Sequence, residues 1–157
     1  MIIEKEWLVK RLGDDNLSII DCRFDLQNIE YGRQQYDISH LPNAIYFHLE
    51  DDLSGEIKKH GGRHPLPDLE QFKLKLEKAG ISNDSAVVVY DSGEGTFAGA
   101  FAARFLWMLK YIGHEKVMIL NGGFSKWKEA GYPIECKEPS VTKSTYNVHV
   151  QENMLAT

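Results

Sequence analysis

The apolar run Val87-Val88-Val89-Tyr90 ends on Asp91 and opens at once into Ser92-Gly93-Glu94-Gly95-Thr96, ahead of a long apolar segment. A buried strand feeding a Gly-rich turn and then a helix is a unit of α/β architectures, and it commits the rest of the chain to supply more such units. It also makes an anion cradle, because free backbone N–H groups converge there and the helix dipole favours negative charge. Many α/β enzymes keep a nucleophile at the first position of such a loop. Here that position holds a carboxylate, not a Cys or Ser.

The remaining pattern agrees. Trp7, Leu8 and Leu12 recur at helical spacing, which predicts a helix over 4–12 ended by Gly13. Residues 17–22 (Leu-Ser-Ile-Ile-Asp-Cys) read as a buried strand, and residues 44–47 as a short one after the turn Leu41-Pro42-Asn43. Between them, residues 23–43 hold little periodicity. Residues 50–67, with Asp51, Asp52, His60, Arg63 and His64, read as a long loop, and loops of that length are usually functional or interfacial. Asp68 caps a helix that runs to Ala79 and stops at Gly80. A strand over 86–90, a helix over 98–112, a strand over 116–120, the turn Asn121-Gly122-Gly123 and a helix over 124–130 complete the series. Strands alternating with helices predict an α/β fold: a five-stranded, mainly parallel sheet with helices on both faces.

With 157 residues the chain can hold one domain with a real core. Its net charge of −5 and lack of a basic cluster speak against a nucleic-acid surface. The densest apolar stretch, 97–109, is interrupted by Arg104 and is too short for a bilayer, so no membrane role is expected. Cys22 and Cys136 lie far apart without CxxC spacing, which suits a reducing cytoplasm and predicts no metal site. After Pro139 the chain turns polar like a linker, yet residues 146–150 alternate like the start of a new strand. The reading is therefore a domain over 1–136, then a linker and the start of a truncated second domain over 137–157.

Four motifs together resemble the rhodanese (sulfurtransferase) domain over about residues 4–134. Ile19-Ile20-Asp21-Cys22-Arg23 is similar to that family's hydrophobic-Asp-x-Arg strand. His40-Leu41-Pro42-Asn43-Ala44 is similar to its His-Ile-Pro-Gly-Ala segment, with Asn in place of Gly, a mild change since Asn tolerates left-handed backbone. The strand and loop over 88–96 match the active-site segment, and Gly122-Gly123-Phe124-Ser125-Lys126-Trp127 matches the closing Gly-Gly-x-x-x-Trp helix. More narrowly, the chain resembles the N-terminal half of a tandem thiosulfate or 3-mercaptopyruvate sulfurtransferase. The loop over 60–67, the helix carrying Arg104 and Asp91 in place of the nucleophilic Cys all point that way.

That resemblance implies a sulfane-sulfur transferase whose first half is silent. Sulfur transfer needs a thiolate that holds a persulfide, and Asp91 cannot do so. Cys22, at the end of a buried strand, and Cys136, past the last helix, are read as structural or exposed thiols. The loop Asp91, Ser92, Gly93, Glu94, Gly95, Thr96 is thus active-site-like without a catalytic residue. Arg104 is read either as a paired structural Arg or, as the resemblance implies, as the group that binds the donor's carboxylate or sulfonate with its planar fork. The partners implied are a C-terminal catalytic rhodanese domain of the same chain and a small anionic sulfur donor; no cofactor is implied. Asp21 and Arg23 are read as a structural pair, His40 as a satisfied structural histidine, and Trp7, Trp107 and Trp127 as core or interface aromatics.

Three rivals fit less well. A haloacid-dehalogenase pattern wants a second Asp two residues after Asp91 and a Thr two beyond, where Gly93 and Gly95 stand. A cysteine phosphatase lacks its Cys. A dinucleotide loop would put its third glycine one residue before Gly99. The non-enzymatic alternative is a standalone, silent rhodanese-fold binding or regulatory module.

Overall fold

The computed structural model describes residues 1–25, 27–48, 69–95 and 98–151. The expected loop over 50–67, with His60, Arg63 and His64, the cap Asp68 and the loop residue Thr96 lie outside the described residues. In chain order the elements are β1 (Ile2–Ile3), α1 (Lys5–Val9), β2 (Leu17–Asp21), α2 (Tyr31–Ile38), β3 (Ala44–Tyr46), α3 (Leu69–Lys78), β4 (Ala86–Tyr90), α4 (Ala100–Tyr111), β5 (Val117–Leu120) and α5 (Gly123–Glu129). The five strands form one sheet in the order β1-β5-β4-β2-β3, with every pair parallel.

Both faces of the sheet are covered, which is why its strands read as unbroken apolar runs. Ile20, Val87 and Val89 point to one face, against Phe72 and Leu76 of α3 and Phe105, Met108 and Leu109 of α4. Ile19, Val88 and Tyr90 point to the other, against Leu8 of α1, Tyr36 of α2 and Phe124 and Trp127 of α5. Trp127 is fully buried, whereas Trp7 and Trp107 are half-buried.

Three local readings are corrected. Residues 31–38, read as aperiodic, form α2. Its apolar signal is thin because it buries little beyond Gly32 and Tyr36, and a Cβ at Gly32 would sit 1.8 Å from the Arg23 carbonyl oxygen. The fifth strand is Ile2–Ile3, two residues held by pairing with Ile119 and Leu120 and too short to show a period. The first helix ends at Val9, three residues before the predicted end.

A fourth correction concerns the tail. Residues 146–150 form no strand. They run extended across the ends of α3 and α4, where the Ser144 N–H donates to the Glu77 carbonyl (3.0 Å), that of His149 to Ile112 (2.9 Å) and that of Gln151 to Tyr111 (2.7 Å). Alternation arises because one side of the strap faces the core: Tyr146 is buried and Val148 packs against the same cluster. The buried His114 donates from Nε2 to the Ser85 carbonyl, which leaves Nδ1 to accept the Tyr146 hydroxyl at 2.8 Å. Burial lowers the pKa of His114 and raises that of Tyr146, so the neutral forms that this bond needs are favoured.

Candidate functional site

The connection after β2 leads to β3 on one side, and that after β4 leads to β5 on the other. The sheet order therefore reverses between β2 and β4, and in open α/β sheets a crevice forms at the carboxyl ends of the strands at such a point. Two aspartates flank it: Asp21 ends β2, and Asp91 follows β4.

Asp21 is fully buried and its carboxylate is saturated. Oδ1 accepts the Arg23 N–H at 2.9 Å. Oδ2 accepts Arg23 Nη2 at 2.8 Å and the Tyr90 hydroxyl at 2.7 Å. Burial opposes the charge on Arg23, and the neighbouring Asp21 outweighs it, so the guanidinium is held above its usual pKa. Arg23 also donates to the Ser39 carbonyl (2.6 Å) and lies 4.1 Å from the centre of the Phe124 ring. The pair thus ties β2 to the turn before β3 and to α5, as the structural reading expected. His40 is likewise structural, buried with its ring nitrogens 2.8 Å from the carbonyl oxygens of Tyr36 and Lys137. Asn43 takes the left-handed conformation at φ 66° that its position demands.

Asp91 fills the anion cradle with its own carboxylate. Oδ1 accepts N–H groups from Gly93 (2.9 Å) and Gly99 (3.2 Å), and Oδ2 accepts that of Ala102 (3.2 Å). Only 3% of the residue is exposed. The loop lies flat on the β5–α5 turn, with the Phe124 N–H on the Asp91 carbonyl and the Ser125 N–H on that of Ser92. A Cβ at Gly93 would stand 1.9 Å from the Gly122 carbonyl oxygen, so only glycine lets the two turns meet. Arg104 sits in the second turn of α4, half-buried, and burial lowers its pKa.

A cavity of about 580 Å³ opens beside the loop, lined by Arg23, Tyr31, Ser92, Glu94, Phe124 and Lys128 among others. Two further residues build the site with little sequence signal. Tyr90, whose hydroxyl reaches Asp21 from the neighbouring strand, reads as a plain strand residue. Gly99, the N-cap of α4 whose N–H reaches Asp91, reads as a glycine of the rival dinucleotide loop. Among the described residues no cluster of three His, Cys, Asp or Glu side chains could hold a metal, and no helix is long and apolar enough to cross a membrane.

Neither cysteine belongs to the loop that follows β4. Cys22 directly follows Asp21 and is fully buried, and burial together with the carboxylates of Asp21 and Asp91 pushes its pKa well up. Cys136 is exposed and unpaired. A disulfide reagent should therefore titrate one thiol in the folded chain, Cys136, and the second only after unfolding. Comparable reaction rates for the two thiols in the folded chain would contradict the buried, protonated state of Cys22.

The rhodanese-like domain family model matches residues 4–130. The chain is 38% identical over 156 residues to the "Probable 3-mercaptopyruvate sulfurtransferase" of Pseudomonas aeruginosa, covering 98% of this chain and 54% of that protein. It is 37% identical over 136 residues to thiosulfate/3-mercaptopyruvate sulfurtransferase 2 of Arabidopsis thaliana, covering 85% and 37%. The solved 3-mercaptopyruvate sulfotransferase structure from Escherichia coli superposes with a TM-score of 0.81 at 28% identity, over 96% of this chain and 55% of that one. The chain spans about half the length of the first of these relatives, or less of the second.

Proposed function

Because the chain belongs to the rhodanese-like family, we propose that it is the N-terminal, non-catalytic half of a tandem sulfurtransferase. The complete protein moves sulfane sulfur from thiosulfate or 3-mercaptopyruvate to a thiophilic acceptor such as cyanide. The observation that carries this reading is the carboxylate of Asp91, which occupies the cradle where a catalytic half would hold a thiolate. A carboxylate cannot accept sulfane sulfur as a persulfide, so the nucleophilic cysteine belongs to a C-terminal rhodanese domain of the same protein. Relatives about twice as long as this chain support that arrangement.

In this reading the half supplies a scaffold and one wall of the cleft, and Arg104 meets the anionic group of the donor. A planar guanidinium pairs with a carboxylate or a sulfonate-like group through two parallel N–H bonds. Partial burial of Arg104 strengthens such a contact, because a half-desolvated cation is screened less by water. Two unpaired cysteines suit a cytoplasmic setting.

The test is thiocyanate formation from thiosulfate and cyanide by this chain alone at high protein concentration. No product above background is expected. Clear turnover would mean that Cys22 or Cys136 reaches a reactive site, and would overturn the silent-half reading.

A further inference from the structure

The helix that carries Arg104 starts without a side-chain cap of its own. Its N-cap residue is Gly99, left-handed at φ 82°, which brings no hydrogen-bonding side chain to the first turn. The orphan N–H groups of a helix start must be met from elsewhere. Here Asp91 meets two of them across the loop, Oδ1 taking that of Gly99 and Oδ2 that of Ala102, while Gly93 closes the loop onto Oδ1. A buried negative charge at the N-terminus of a 12-residue helix also gains from the helix dipole. The main-chain carbonyl of the same residue accepts the Phe124 N–H, so the loop is pinned to α5 as well.

Arg104 lies two residues beyond Ala102, within reach of any movement of this anchored turn. Its long stem magnifies a small rotation of the helix at the guanidinium, and misplacing a binding group by about 1 Å can cost up to about a hundredfold in rate. We infer that Asp91 is a positioning residue: its carboxylate sets the start of α4 and, through it, the reach of Arg104 toward the anionic donor. The inference rests on the donor-binding part proposed for Arg104. Aspartate suits the task better than its amide, since both oxygens must accept. In Asp91→Asn the amide nitrogen would face a backbone N–H.

The test is steady-state kinetics of the complete protein with thiosulfate and with 3-mercaptopyruvate. Asp91→Asn should raise KM for the preferred donor roughly three- to tenfold, with kcat within about twofold of the parent. Arg104→Ala should raise KM at least as much, and the double variant should be no worse than Arg104→Ala, because the first change acts through the second residue. Gly99→Ala disturbs the same anchor from the helix side. Its Cβ meets nothing within 4 Å, so the change strains only the left-handed backbone and should leave the fold intact. It too should raise KM, and it replaces Asp91→Asn if circular dichroism shows that variant unfolded. An unchanged KM in the folded anchor variant, a loss confined to kcat, or effects that multiply with Arg104→Ala would each overturn the inference. An unchanged KM in Arg104→Ala would instead remove the reading of Arg104 on which it rests.

Discussion

Replacing Asp21 with Ala is expected to cost the fold about 3–5 kcal/mol, because it strands a buried guanidinium without its counter-charge. Arg23 is 2% exposed, so its guanidinium stays largely desolvated at the edge of the cavity once the carboxylate is gone. The same change takes the acceptor from the Tyr90 hydroxyl, which also accepts the Leu41 N–H at 3.1 Å. One substitution therefore loosens the ends of β2 and β4 and the turn before β3 together. In a chain of this length such a loss should lower the melting temperature by about 6–20 °C. Thermal and urea unfolding of Asp21→Ala beside the parent would check it, and a loss below about 1 kcal/mol would show that the pair is not the strut described. A Leu at both Asp21 and Arg23 is expected to recover part of the loss, since removing both charges leaves neither uncompensated.

The second large effect is expected at the tail. Tyr146→Ala should cost about 3–5 kcal/mol, the usual range for emptying a buried aromatic site. Its ring is 1% exposed and stacks against His114 at 5.8 Å, and its N–H donates to the Glu77 carboxylate at 2.9 Å. Ending the chain at Cys136 should cost at least as much, because Val148 and the strap's bonds to Glu77, Ile112 and Tyr111 are lost too. Tyr146→Phe separates the contributions: it keeps the ring and removes the hydroxyl that His114 accepts, so about 1 kcal/mol is expected. Urea unfolding of the three variants gives the comparison. A chain ending at Cys136 that matched the parent's midpoint would mean that the strap only lies on the surface.

Residues 4–134 carried the fold in their own pattern wherever burial was two-sided. Val87-Val88-Val89-Tyr90 could be read as a central strand because both its faces meet helices, and continuous apolarity is what two covered faces require. The resemblance to the rhodanese domain rested on residues that the structure shows to be geometrically constrained. Asp21 and Arg23 pair, Asn43 is left-handed, and Gly93 and Gly122 touch through backbone. Each of these needs a particular residue type for a local reason, so each left a visible letter. α2 and β1 left none. α2 buries little, and β1 is held by its partner strand rather than by its own two residues.

The sequence by itself determined the α/β class, the place of the anion-binding loop and the absence of a thiol in it, because strand periodicity, glycine turns and side-chain identity are local properties. Only the tertiary structure decided what the Asp91 carboxylate does and where the tail goes. The three N–H groups on Asp91 come from residues two, eight and eleven positions away, brought together by the start of α4. The alternation at 146–150 reports one buried side, and a strand and a docked strap bury one side equally well. What tells them apart is the hydrogen-bond partner. For this tail the partners are carbonyls at Glu77, Tyr111 and Ile112, dozens of residues distant, which no local pattern encodes.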